Sequence, residues 1–227
     1  PKTGFLTLEQ IDLLIVQVET DEGVIGTGHL HPLAGGLQTL EMCINEMLKP
    51  LLIDEKINNI ELLWNKMWKA TFIQGRMGIT LMAMSALDIA LWDCYGRTLN
   101  LPLWKIWNGT SKEFPVYGSG CYRGLGHDGM IEKAQNYVKL GFKSVKMQVA
   151  HCFTNEEDIV NVRDMRKALG DDIGLMIDVN QGWGVDETVK VCKKLEEFNP
   201  EWLEEPVMAD DFHGYEKICS STSIPIV

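Results

Sequence analysis

The sequence lacks the paired cysteines and histidines that mark metal-ligating or disulfide frameworks. Its six cysteines, Cys43, Cys94, Cys121, Cys152, Cys192 and Cys219, stand apart with no CxxC spacing. They indicate neither a zinc site nor a cross-linked scaffold, and they suit a reducing cytoplasm. The five histidines, His29, His31, His127, His151 and His213, form no HxxxH or HExxH pair, so a histidine-rich metal site is unsupported. Positive charge is also scarce: 21 Lys and Arg against 32 Asp and Glu leave a net charge of −11. That balance opposes a nucleic-acid footprint, which needs cations to displace the counterions of phosphates. A small anionic substrate remains compatible, because a local site can be positive on an acidic protein. Long apolar runs are missing too. The most apolar stretch, "ITLMAMSALDIALW", is interrupted by Asp88, and the opening "PKTGFLTLEQ" has no basic stretch leading into an apolar one. Neither a membrane span nor an export signal is expected. A chain that opens on proline and closes on the strand-like "SIPIV" reads as a fragment.

What is present is a globular composition, 45% hydrophobic, sufficient for one large core or two modest ones. Residues 11–31 read as two Val- and Ile-rich strands joined at Asp21-Glu22-Gly23, an antiparallel hairpin. Helical spacing follows over 35–50 and 58–70, and 79–97 is apolar nearly all round, as in a helix buried on several sides. After the breakers Asn108-Gly109-Thr110 the pattern becomes a strand, loop and helix cycle. Strands are predicted at 114–120, 142–149, 173–179, 201–205 and 223–227, with amphipathic helices between them, one opened by Thr154 and Glu157 at capping-box spacing. Repeats of this length imply parallel strands with right-handed crossovers. The expected fold class is therefore α/β, with an α+β domain over 1–111 followed over 112–227 by parallel βα units. Either an open doubly wound sheet or a (β/α)₈ barrel cut short satisfies the pattern, and the barrel is favoured. A complete barrel takes about 250 residues, so 112–227 would hold only its first half.

Polar residues cluster where those strands end, the place where both folds build their sites. Lys146 and Gln148 end one strand, Asp178 and Asn180 the next, and Glu204 and Glu205 the third. Strand alternation puts Lys146 with Gln148 on one face, and Asp178 with Asn180 on one face. Asp178 and one of Glu204 or Glu205, on strands about 4.8 Å apart, could share a cation. Oxygen donors without His or Cys suit Mg²⁺. Each residue has a plainer role available: Asp178 as a turn residue, Glu204-Glu205 as a solvated strand end, Lys146 reaching to the rim. Their recurrence on three consecutive strands favours the site. "GSGCYRG" (118–124) has off-register glycines for a dinucleotide loop, and the next strand ends in Gln148, not an acidic residue. His31, in "GHLHPLAGG", is the histidine best placed to face a substrate.

These motifs resemble the mandelate racemase and muconate lactonizing family of the enolase superfamily. The resemblance spans essentially the whole chain, through "FIQGRMGITLMAMSALDIALWD", "SVKMQV", "LMIDVNQGW" and "EWLEEPV", and acid-sugar dehydratases are the members most alike. It implies an N-terminal capping domain that selects substrate through its loops, ahead of a truncated TIM-type barrel; His31 and Arg76 in "TFIQGRMG" are its candidates, and Arg76 could pair with a distal carboxylate or equally brace its own loop. It further implies Mg²⁺ held by Asp178 and Glu204, a third ligand beyond Val227, and a His-Asp base further on, so that the fragment alone is expected to be inactive. The family reaction is abstraction of the proton α to a carboxylate, for which enolase-superfamily sites are known to use a Lys or His base with Mg²⁺. Many relatives carry Lys-x-Lys where this chain has Lys146-Met147-Gln148. An amide cannot take a proton near neutral pH, so a second base is lost. Dehydration of an acid sugar is therefore favoured over racemisation, with Lys146 supplying charge, and Gln148 and Asn180 meeting the substrate. Lys146 as the base would reopen racemisation or cycloisomerisation, and a barrel that binds without catalysis is a third possibility. The full-length protein is expected to be a homo-oligomer, with neither nucleic acid nor membrane as partner.

Overall fold

A computed structural model describes residues 2–3, 6–7, 12–32, 35–110 and 113–227. The chain divides into two compact units, Leu8–Lys112 and Glu113–Val227, the latter grouped with Pro1–Thr7. The junction expected at residues 111 and 112 lies outside the described residues. The grouping of the first seven residues with the second unit has no signature in sequence: strands β1 (Lys2–Thr3) and β2 (Leu6–Thr7) are two residues each and pair only with one another.

In the first unit, strands β3 (Leu14–Glu19) and β4 (Ile25–Leu30) form the expected antiparallel hairpin, in register from Leu14↔Leu30 to Glu19↔Ile25. Ile11, the first residue assigned to it, lies outside the described residues. Three helices follow: α1 (Leu37–Met42), α2 (Ile60–Ala70) and α3 (Ile79–Leu99). The segment expected to be helical over 35–50 keeps its path but loosens into a π-helix at Cys43–Leu48 and tightens at Lys49–Leu51, where Pro50 lacks an amide donor. Helix α3 is buried on several sides because it lies directly on β4. Small residues Ala86, Ala90 and Cys94, four apart on one helix face, meet Gly26 and Gly28, two apart on one strand face. A Cβ on Gly28 would sit 2.0 Å from the Ala86 carbonyl oxygen, and one on Gly26 2.2 Å from that of Ala90. The short helix α4 (Leu103–Ile106), set up by Pro102 at its N-cap, closes this unit and was not apparent in the apolar pattern.

In the second unit, strands β5 (Gly118–Cys121), β6 (Ser144–Gln148), β7 (Gly174–Asp178) and β8 (Trp202–Glu204) form one parallel sheet in sequential order. Ile226 pairs with Leu203, also in parallel, at the fifth position. That order decides between the two architectures: a doubly wound sheet must reverse direction from its first strand, whereas a (β/α) barrel adds each strand beside the last. Strand β5 begins four residues later than the pattern suggested. It is paired on one side only, and Phe114 and Val116 before it are exposed. Helices α5 (Gly126–Lys139), α6 (Asn155–Leu169), α7 (Val185–Leu195) and α8 (Phe212–Cys219) link the strands. The capping box predicted at Thr154 and Glu157 is formed in both directions. One face of the sheet, Val145, Met147, Leu175, Ile177 and Leu203, is fully buried in the unit's core with helix residues such as Ala134, Val162, Met165 and Cys192. The alternate positions turn their side chains to the other face, and the candidate site is built there. Among the described residues no helix is long and apolar enough to cross a membrane.

Candidate functional site at the strand ends

Strand register alone places the candidate residues. Lys146, Met176 and Trp202 lie level across β6, β7 and β8, and one step nearer the strand ends Gln148, Asp178 and Glu204 lie level in turn. Glu204 shares a row with Asp178, whereas Glu205 sits past the strand at φ 45°. Lys146 reaches forward from the row behind, its Nζ 2.6 Å from Glu204 Oε1 and 3.5 Å from Asp178 Oδ2. Trp202 Nε1 donates to the other Glu204 oxygen at 3.1 Å, and Tyr117 packs edge-on against Trp202 beneath the lysine.

The charges are unequal. Burial pushes the Asp178 carboxyl up, and the neighbouring Glu204 adds to that, against opposing pulls from Lys146 and from the Asn180 amide on its Oδ1. Burial acts to lower the Lys146 ammonium, but its bond to Glu204 and the charge of Asp178 outweigh it, and the pKa rises. In this arrangement the two carboxylates hold the Lys146 ammonium in its charged form. Two carboxylates share this single ammonium, with no nitrogen or sulfur donor between them. In kind, this set fits a hard divalent cation, which binds through one or two carboxylates, water and substrate. In number it supplies two protein ligands. Among the described residues no group of three His, Cys, Asp or Glu side chains gathers.

Asn180, expected at the substrate, is occupied within the protein. It holds a left-handed backbone at φ 49°, and its side-chain oxygen accepts from Gln148 Nε2 at 3.0 Å and from Arg123 Nη2 at 2.7 Å. His151 Nε2 donates to its main-chain oxygen at 2.9 Å. Left-handed non-glycine residues recur at the ends of three neighbouring strands, Ala150 and His151 after β6, Asn180 and Gln181 after β7, and Glu205 after β8. Such conformations are held only where surrounding structure over-determines them, and they concentrate at functional sites. A cavity of about 310 Å³ lined by Ala150, His151, Phe153, Gly182 and Trp183 lies among these turns.

His31 and Arg76 belong to the other unit. His31 is exposed just after β4. Arg76 turns inward, donating to the Trp68 carbonyl at 2.6 Å with its guanidinium 3.9 Å from the Trp68 ring centroid, so in this arrangement it braces its own loop. A cavity of about 1000 Å³ in that unit, between β3 and residues 52–58, is lined by neither residue.

Two buried residues went unnoticed in sequence. Arg123 is 3% exposed, two residues past the end of β5, in the segment set aside as a dinucleotide loop. The signal available was its place: a charged residue just past a barrel strand, where the three strands that follow also end on polar or charged side chains. Asp158, fully buried in the first turn of α6, accepts from the Ala150 amide at 2.9 Å and so ties the turn after β6. Burial pushes its carboxyl up to about 7, only partly offset by that amide and by Arg123. An acid whose pKa is raised on folding contributes its full stability while protonated in both states, below about pH 4, and loses it as pH rises through about 7. The stability of the wild type relative to Asp158→Asn should accordingly fall between pH 4 and 8, by at most about 4 kcal/mol at 1.36 per pKa unit. Urea unfolding of both proteins at several pH values reads this out, and a flat difference would contradict it.

A parallel half-barrel that gathers an ammonium, an amide and two carboxylates at consecutive strand ends has the layout of a (β/α) barrel, the fold class whose enzymes build their sites at that face. The chain belongs to the enolase superfamily, within the mandelate racemase and muconate lactonizing enzyme family. Residues 1–107 match the family model "Mandelate racemase / muconate lactonizing enzyme, N-terminal domain", and residues 129–227 match "Enolase C-terminal domain-like". It is 32% identical to the 3,6-anhydro-alpha-L-galactonate cycloisomerase of Streptomyces coelicolor, over 91% of this chain and 57% of that protein. It is 31% identical to the arabinonate dehydratase of Saccharolobus solfataricus, over 95% and 58%. A solved racemase from Streptomyces coelicolor with bound magnesium superposes at a TM-score of 0.88 with 31% identity, over 95% of this chain and 64% of that one. An L-talarate dehydratase from Polaromonas, complexed with Mg and L-glucarate, does so at 0.84 with 29% identity, over 95% and 60%. The chain thus spans a little over half the length of the curated relatives it matches.

Proposed function

We propose that the protein to which this chain belongs is a cytoplasmic, magnesium-dependent dehydratase of acid sugars. It would remove the proton α to the carboxylate and expel the β-hydroxyl as water, giving a 2-keto-3-deoxy acid. The observation that carries the proposal is the single row Gln148, Asp178 and Glu204 with the Lys146 ammonium behind it. Asp178 and Glu204 would hold the magnesium ion, with a further ligand from the part of the fold that the longer relatives possess beyond this match. Bound there, the ion acts as a Lewis acid that makes the α-proton of a carboxylate removable. Lys146 keeps a positive charge beside the carboxylate. Gln148 binds without exchanging a proton, so the base comes from another strand, and one base suffices to take the α-proton and then protonate the departing hydroxide. Sequence likeness to both arabinonate dehydratase and a talarate/galactarate dehydratase supports this choice.

Similarity to the N-succinyl-L-Arg/Lys racemase of Bacillus cereus, 32% identical, keeps racemisation as the second reading. Full-length protein with Mg²⁺ should convert at least one of arabinonate, galactonate, galactarate or talarate to a keto product, measured by semicarbazone absorbance. Inverted stereochemistry with no keto product would move the assignment to a racemase or epimerase. Inertness towards every acid, with Gln148→Lys equally inert, would favour a barrel that does not catalyse.

A further inference from the structure

We propose that Arg123 is a positioning residue that decides which end of the Gln148 carboxamide faces the substrate, so that Gln148 receives a substrate hydroxyl and not a carboxylate. The substrate part of this rests on the function proposed above, whereas the positioning itself rests on geometry alone. A guanidinium only donates hydrogen bonds. The Asn180 atom 2.7 Å from Arg123 Nη2 must therefore be its oxygen. That oxygen also contacts the Gln148 amide at 3.0 Å, so the Gln148 atom there must be the nitrogen. The end left over is Oε1, for which no donor is found among the described residues. Arg123 is itself fixed, since its Nε donates to the Val149 carbonyl at 3.0 Å, one residue past Gln148. Its Nη1 is buried and makes no hydrogen bond.

An acceptor oxygen on the neighbouring strand, level with Asp178, repels a carboxylate and accepts a hydrogen bond from a hydroxyl. In an acid sugar the carboxylate is then left to the Lys146 side of the row, and a chain hydroxyl falls to Gln148. The device has no counterpart in Lys-x-Lys strands, where the second side chain is a cation with nothing to orient.

The test uses full-length protein ¹⁵N-labelled at glutamine and asparagine side chains. In Arg123→Met the Gln148 amide protons should shift and exchange with solvent about tenfold faster, the scale of one lost hydrogen bond. Arg123→Lys, which can still donate to Asn180, should recover most of the wild-type exchange. Asn180→Gly keeps the left-handed backbone while removing the acceptor, and it should reproduce the Arg123→Met result even if that variant folds poorly. Unchanged Gln148 exchange in Asn180→Gly, or in folded Arg123→Met, would overturn the proposal. With arabinonate or galactonate, whichever is turned over, Arg123→Met should raise KM about tenfold and leave kcat within about threefold, because the lost contact binds ground and transition states alike. A fall in kcat at constant KM would contradict the proposal. If wild type turned over none of arabinonate, galactonate, galactarate and talarate, that would count against the dehydratase assignment alone, and amide exchange would still decide the positioning.

Discussion

Lys146→Met is expected to cut turnover by the full-length protein about 10²–10³-fold, and at the same time to make its stability depend on magnesium. Lys146 is the one cation held between Asp178 and Glu204. Removing one partner from a buried ionic cluster costs about 3–5 kcal/mol, because the charges left behind are uncompensated. The low end applies here, since Glu204 is 26% exposed. Magnesium should then restore the variant, and the thermal midpoint gained on adding Mg²⁺ should be larger in Lys146→Met than in wild type, where the ammonium competes for the same oxygens. Activity should not return with stability, because a metal at the carboxylates does not replace a charge beside the substrate; loss of such a preorganised donor costs about 10²–10³ in kcat. Equal magnesium shifts in both proteins would show that the two carboxylates are not the metal's ligands.

Gly28→Ala is expected to destabilise the first unit strongly. The new Cβ would fall 2.0 Å from the Ala86 carbonyl oxygen and 2.8 Å from the Ala90 amide, so backbone, not a flexible side-chain end, stands in the way. Overpacking of a well-filled interior costs about 1–3 kcal/mol when side chains can shift. With α3 held by Ala83, Met84, Leu87 and Leu91 in the same core, the cost should reach or exceed the upper end of that range. Chemical denaturation should show the loss, and near-wild-type stability would mean that helix and strand are not in contact. Gly124→Ala, where a Cβ meets nothing within 4 Å, is the matched control and should be within about 0.5 kcal/mol of wild type.

The two glycines and three small helix residues also show what a sequence discloses. Apolar content on all sides of 79–97 announced a helix buried from several directions, and the alternation of Gly26 and Gly28 in a strand was visible, but only the fold brings the two periodicities onto one another. The strand-end residues were legible for a related reason. Parallel strands of similar length end on the same side of the sheet, so Lys146, Gln148, Asp178 and Glu204 converge whatever the details of packing. What stayed hidden depends on contacts distant in sequence. The Arg123 bond to Asn180 spans 57 residues, and nothing local marks Asn180 as the acceptor of two side chains. Likewise nothing local in "TFIQGRMG" says that Arg76 folds back on Trp68.

The most direct measurement is deuterium incorporation. Full-length protein incubated in D₂O with Mg²⁺ and each of arabinonate, galactonate, galactarate and talarate should yield, for at least one acid, a 2-keto-3-deoxy product carrying solvent deuterium at C3. That product should vanish in Asp178→Asn while the fold is kept. Dehydration undiminished in Asp178→Asn, or no exchange at the α-carbon of any acid and no keto product, would contradict a magnesium-dependent α-proton abstraction built on this row of residues.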